Sequence, residues 1–227
     1  MIEVLELGEV RLPDSHPRAG DGIALIRAFV IDHPDGIILF DTGVGADHPV
    51  IDDLYKPSNL KPIITALNQA GVDERDVTAI VNSHLHFDHC GQNSALPSVP
   101  IYVQAAELEA AQLPNYTVPE WAHIEPVRQR VLDGDEEIAS GIQILSTPGH
   151  SPGHQSLLIQ GPDDSTTHLI AGQCCYTCAE FVAGEIAADN LHDESYRSVA
   201  TETMARLRTL TLSTAHFSHD RTVYRSS

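Results

Sequence analysis

The chain has 227 residues, 42% of them hydrophobic, and a formal net charge of -19. That length supports a sizeable core, the composition excludes a disordered chain, and the charge repels phosphate backbones, so a nucleic-acid partner is not expected. No apolar run approaches the ~20 residues of a membrane span, and the opening MIEVLELGEV carries acids where a secretion signal carries basic and then apolar residues; a cytoplasmic protein with no membrane partner is expected.

The expected elements begin with a strand over MIEVLELGEV. Ala24–Ile31 and Gly36–Phe40 follow as strands joined by a Pro34-Asp35-Gly36 turn, the second running into Asp41-Thr42-Gly43. Residues 60–70 read as a helix, with Ile63, Ile64 and Leu67 on one face and Gly71 as its stop. The β-branched run 77–82 predicts a buried strand that leads to His84. A short helix is expected at 92–96, a strand at 101–103 and a helix at 105–112. In the second half, residues 141–146 predict a strand leading to Thr147-Pro148-Gly149-His150. Residues 155–160 and 167–171 read as a hairpin around Gly161-Pro162-Asp163-Asp164, residues 193–210 as the longest helix and 211–215 as a last strand ending near His219. Strands followed by helices, twice over, predict two βα-rich halves within one domain, residues 1–227, with histidines just past strand ends. The four cysteines (Cys90, Cys174, Cys175, Cys178) lack the two C-x-x-C pairs of a structural zinc site and are expected as reduced, mostly buried thiols.

Thirteen histidines are many for this length, and their placement is uneven. Within Asn82-Ser83-His84-Leu85-His86-Phe87-Asp88-His89, three histidines and an aspartate fall in six residues. In an extended loop, positions i and i+2 face the same way, so His84 and His86 can grip one cation. Asp88 and His89 follow where the loop turns and can face a second. Imidazole nitrogen and carboxylate oxygen both suit zinc, and hydrolytic ion pairs sit about 3.5–4 Å apart. Thr147-Pro148-Gly149-His150-Ser151-Pro152-Gly153-His154 turns sharply after a strand and presents His150 to the same ion, with His154 read as a supporting residue. Phe217-Ser218-His219-Asp220 offers His219 to the second ion.

His84-Leu85-His86-Phe87-Asp88-His89 resembles the HxHxDH signature of the metallo-β-lactamase superfamily. Within it the chain is similar to N-acyl homoserine lactonases, which degrade bacterial quorum signals. The likeness runs from about Ile37 to His219 and includes Phe40-Asp41-Thr42-Gly43, residues 83–91, residues 100–104 and TPGHSPGHQSLL at 147–158. The resemblance implies an αββα four-layer sandwich. It also implies one ion on His84, His86 and His150, a second on Asp88, His89 and His219, and Asp41 orienting a ligand histidine. Tyr176 matches a tyrosine that contacts the substrate carbonyl. The implied reaction is opening of a lactone or ester by hydroxide generated at the metal, with Asp88 as general acid to the leaving alkoxide. Zn²⁺ is the expected cofactor, as one or two ions; manganese, iron or cobalt accept the same ligands.

One position departs from the family. Where the bridging aspartate is expected after Gly172, the chain has Gln173, which is neutral and can offer only an amide oxygen. Weaker binding of one ion is the expected consequence. Residues 44–62, with Leu54 and Tyr55, and residues 113–121 are candidate walls for an acyl tail. The competing readings are another hydrolase of the same fold, a thioesterase or carboxylesterase, and a metal-binding homologue with reduced turnover. Nothing in the sequence sets an oligomeric state.

Overall fold

In the computed structural model, which describes residues 2–16, 18–161 and 165–226, the chain divides into two compact units. One comprises residues 1–102 and 111–130, the other residues 103–110 and 131–227.

The first unit opens with β1 (Ile2–Arg11), β2 (Ile23–His33) and β3 (Gly36–Phe40), an antiparallel meander. β1 buries Leu5, Leu7 and Val10 and slips register at Glu6/Gly8. Gly8, at φ 137, suits that bulge. β2 is buried continuously from Ile26 through Ile31, Arg27 included, as a strand covered on both sides should be. A Phe29–Phe40 edge-on pair at 6.2 Å locks β2 to β3. Helices α1 (Pro49–Tyr55) and α2 (Ile63–Gln69) precede β4 (Val77–Val81). β4 pairs in parallel with β3 and with β5 (Ile101–Gln104), and α3 (Phe87–Cys90) lies between β4 and β5 in the chain. α4 (Ala105–Ala110) and α5 (Pro119–Ala122) come before β6 (Gln129–Leu132), and the strand order is β1-β2-β3-β4-β5-β6.

The second sheet has the order β12-β11-β10-β9-β8-β7. Its strands are β7 (Glu136–Ala139), β8 (Ile142–Ser146), β9 (Gln155–Gln160), β10 (Thr167–Ile170), β11 (Thr214–Phe217) and β12 (Asp220–Arg225). β10 and β11 are its parallel pair. Helices α6 (Cys178–Ala183) and α7 (Arg197–Arg208) bury Phe181, Met204 and Leu207 against Leu169, Ala215 and Phe217. Cys174, Cys175 and Cys178 belong to this core; all four cysteines are buried and free. Burial pushes the Cys175 thiol well up, so it stays protonated and unreactive.

Several boundaries differ from those read in the sequence. The helix expected at 60–70 starts at Ile63, because Pro62 is extended (φ -56, ψ 137) and can only precede it. The long helix expected at 193–210 is a short 3-10 turn, Glu194–Tyr196, followed by α7. The last strand begins at Thr214 rather than 211, and β12 follows it unforeseen, as do α1, α5, α6, β6 and β7. The β9–β10 hairpin is antiparallel as expected; its turn residues Pro162-Asp163-Asp164 lie outside the described residues. Among the described residues no helix is long and apolar enough to cross a membrane.

Candidate metal centre

Parallel strands deliver their C-terminal ends to a common side of a sheet, and side chains just beyond them are free to do chemistry. β4 ends one residue before Asn82-Ser83-His84, β10 three residues before Gln173, and β11 two before His219.

In the first unit, Asp41 organises the histidine loop. It sits past β3 at φ 62, a left-handed conformation unusual for a non-glycine residue, and is fully buried. Its carboxylate accepts from the Ser83 amide (2.7 Å), the Ser83 hydroxyl (2.8 Å) and His89 Nδ1 (2.8 Å). The Ser83 hydroxyl has one proton, and Asp41 takes it. His84 Nδ1, 2.9 Å from that oxygen, must therefore be the donor. Both His84 and His89 thus carry their proton on Nδ1, leaving Nε2 unprotonated, the form of imidazole that ligates a cation. His84 Nε2 and His86 Nδ1 stand 3.0 Å apart, close to the ~3.3 Å of two nitrogens on one tetrahedral zinc with ~2.0 Å bonds. Asp88 Oδ2 lies 3.6 Å from His89 Nε2.

A second set of bonds holds this loop from behind. The Thr42 amide donates to the His89 carbonyl (2.7 Å), the Thr42 hydroxyl donates to Asn93 Oδ1 (2.9 Å), and Asn93 Nδ2 donates to Asn82 Oδ1 (2.8 Å). Buried Arg128 donates to the carbonyls of Asn93, Leu96 and Val99. At Gly91 the backbone passes so near Gly45 that a Cβ would stand 2.2 Å from its nitrogen, so only glycine fits. Around the loop, Tyr116 lies on His86 and Tyr55 on Phe87, each at 4.6 Å between ring centres. Burial, and then the charge of Asp88, raise the Tyr55 phenol and keep it protonated.

In the second unit, His150 Nδ1 donates to the Asn190 carbonyl (3.3 Å), again leaving Nε2 for a cation. Fully buried His154 has both nitrogens engaged: Nε2 accepts from the Gln173 amide (2.9 Å), so Nδ1 carries the proton towards Thr147. That is a supporting residue's bonding pattern and leaves no nitrogen for a metal. Gln173 is buried, with Oε1 2.9 Å from His219 Nε2. The Tyr176 ring stacks on His219 at 4.6 Å and an interplanar angle of 21°. Two residues the sequence reading passed over matter here. Fully buried Glu107 accepts from the Ser151 hydroxyl (2.7 Å) and the Gly153 amide (3.1 Å), fixing the turn that carries His150. Its line with buried Ala110 and Ala111 at i+3 and i+4 was the available sign. Asn190 left no sign, being one polar residue in an irregular stretch.

The first unit thus gathers His84, His86, Asp88 and His89 in one loop, and the second presents His150 and His219. With three imidazoles and a carboxylate in the first unit, two imidazoles in the second, and the Nδ1 atoms of His84, His89 and His150 already bonded, the donor set fits divalent metal ions.

The chain belongs to the metallo-β-lactamase superfamily, whose sequence pattern matches residues 24–216. Its fold is the metallo-β-lactamase fold, with two mixed sheets flanked by helices, as the resemblance implied. It is 35% identical to the N-acyl homoserine lactonase of Bacillus cereus over 167 residues, 69% of this chain and 66% of that protein. The chain thus spans just under two thirds of that relative's length. The Rhizobium radiobacter lactonase AttM is 29% identical over 174 residues, 66% of this chain and 64% of that protein. Among solved structures, an N-acyl homoserine lactone hydrolase with N-hexanoyl-L-homoserine at its catalytic metal centre has a TM-score of 0.80 at 27% identity, covering 97% of this chain and 93% of that one.

Proposed function

We propose that the chain is a metal-dependent lactonase that opens the ring of N-acyl homoserine lactones, a quorum-quenching activity. The observation that carries this reading is the loop of the first unit, in which Asp41 sets His89 and, through Ser83, His84 beside His86 and Asp88, in a chain 35% identical to a lactonase. As the family resemblance implies, His84, His86 and His150 would hold one ion and Asp88, His89 and His219 the other, with the Gln173 amide oxygen beside His219. Zinc is the proposed metal. When bound, such ions bring a coordinated water's pKa near neutrality and polarise a carbonyl.

The reaction consumes one water: its oxygen bonds to the lactone carbonyl carbon, the ring C–O bond breaks, and the released alkoxide takes up a proton to give the hydroxy acid. Asp41 keeps His89, and through Ser83 also His84, in the Nδ1–H form that lets each bind a cation. Tyr176, with its ring stacked on His219 and its backbone N–H donating to Glu180 Oε2 (2.8 Å), supplies a phenol to the carbonyl oxygen. Asp88 would deliver the proton to the alkoxide as general acid. Half-exposed Leu54 and Leu113, flanking Tyr55 and Tyr116, form the apolar ground for the acyl tail. Free, buried thiols suit a reducing cytoplasm.

The test is metal content per chain together with hydrolysis of a panel of acyl homoserine lactones, thioesters and β-lactams, before and after chelation. Lactone opening that disappears with the metal and returns on adding zinc is expected. Turnover surviving complete metal removal overturns the reading; a preference for thioesters transfers the activity to another hydrolase class on this fold.

A further inference from the structure

The departure at Gln173 comes with a device that controls which way its amide points. The Gln173 backbone carbonyl can only accept, so the Asn190 side chain that meets it at 3.0 Å must present its NH₂ there. The Asn190 Oδ1 then faces the Gln173 side chain and can only accept, which requires the Gln173 NH₂ at that contact, 3.3 Å away. One end of the Gln173 carboxamide being thus assigned, the other must be oxygen, and it is this end that stands 2.9 Å from His219 Nε2. The orientation follows from one backbone carbonyl through two amides, independently of how either side-chain amide is drawn. All of these atoms belong to the second unit and both residues are buried, Asn190 at 3% exposure. The same Asn190 accepts His150 Nδ1 on its own carbonyl, so one residue touches both His150 and Gln173.

We propose that Asn190 is a positioning residue that presents Gln173 Oε1 as a neutral oxygen donor to the ion held by Asp88, His89 and His219. The inference rests on the metal reading above. A carboxylate needs no such clamp, since its two oxygens are alike; a carboxamide does, because its wrong end repels a cation. The site keeps an oxygen donor where the family has a charged bridge and carries one negative charge fewer, so one of two ions binds more weakly than it would with aspartate.

The experiment is zinc titration of the metal-stripped full chain against a competing chelator, with cobalt(II) absorption as a second readout. It is run on wild type, Gln173→Leu, Asn190→Leu, the double variant and Gln173→Asp. Gln173→Leu and Asn190→Leu should each weaken one binding step about tenfold and change the cobalt spectrum in the same way. Asn190→Leu should add nothing further in the Gln173→Leu background, and Gln173→Asp should tighten that step. Equal cost of Asn190→Leu in both backgrounds overturns the positioning role. Unaltered zinc affinity and cobalt spectrum in Gln173→Leu overturn the donor role, and this arm decides the matter alone if the Asn190 variant fails to fold. Wild type that binds no metal overturns the lactonase reading with it, whereas metal bound with an additive cycle overturns this inference only.

Discussion

The loop after β4 and the turns after β8, β10 and β11 supply the same kind of ligand by different means. In the first unit, four candidate ligands sit within six residues and one buried carboxylate, Asp41, sets two of the rings through three hydrogen bonds. In the second, His150, Gln173 and His219 come from three separate connections, and neutral groups orient them: a carbonyl for His150, and for Gln173 the amide of Asn190. A charge governs the contiguous site; dipoles govern the dispersed one. The difference teaches that a compact motif can be aligned by one buried charge, while the scattered residues His150 and Gln173 are held by the neutral backbone and side chain of Asn190.

The strongest way to break the comparison is to remove a ligand from the contiguous loop. His86→Ala should cost one ion per chain and reduce lactone turnover by more than the ~10–100-fold typical of losing a ligand's orienting partner, read by metal analysis and steady-state assay. Asp41→Asn comes next, with metal affinity falling about 10–100-fold and both effects shared by the two ions, because His84 and His89 lose their common anchor. An effect confined to one ion would show that Ser83 does not relay the carboxylate to His84. Arg128→Met strips donors from three carbonyls behind the loop and should lower unfolding stability by about 2 kcal/mol, measured by denaturant titration of the metal-stripped chain. In the second unit, Thr147→Val removes a hydroxyl shared by His154 and Ser156; a loss of about 1 kcal/mol is expected, with metal affinity nearly unchanged.

The smallest effect concerns His168, whose pKa burial lowers below its ordinary value of 6.5. The folded state therefore disfavours its charged form. Its contribution to stability is present above the unfolded pKa and is lost as pH falls through the folded one. His168→Gln should slightly flatten the decline of the unfolding midpoint below about pH 6.5. No change in slope would mean that its bond to Thr214 (2.8 Å) offsets the burial.

How much of this was legible in the sequence follows the same division. His84, His86, Asp88 and His89 stood out as candidate ligands because they are local in sequence. His150 did so through the Pro-Gly turn that carries it. The fold class came from the resemblance, and the strands β2, β3 and β4 from their apolar runs, since these are buried on both faces. β6, β7 and β12 were missed because they are mostly exposed and polar, with charged residues where a periodic signal would need apolar ones. Asn190 and Arg128 were invisible for a different reason. Their contacts run through backbone carbonyls, that of Asn93 for Arg128, and that of Gln173 and its own towards His150 for Asn190, and a carbonyl has no letter in the sequence.

The turn that carries His219 is short: Phe217 pairs directly with Asp220, so only Ser218 and His219 cross from β11 to β12. The ring's reach is therefore dictated by strand register, with no slack to absorb a length change. A single residue inserted after Phe217 would swing the imidazole towards the opposite face of the sheet. Attempts to reshape the neighbourhood by loop grafting should leave this hairpin tip at its native length.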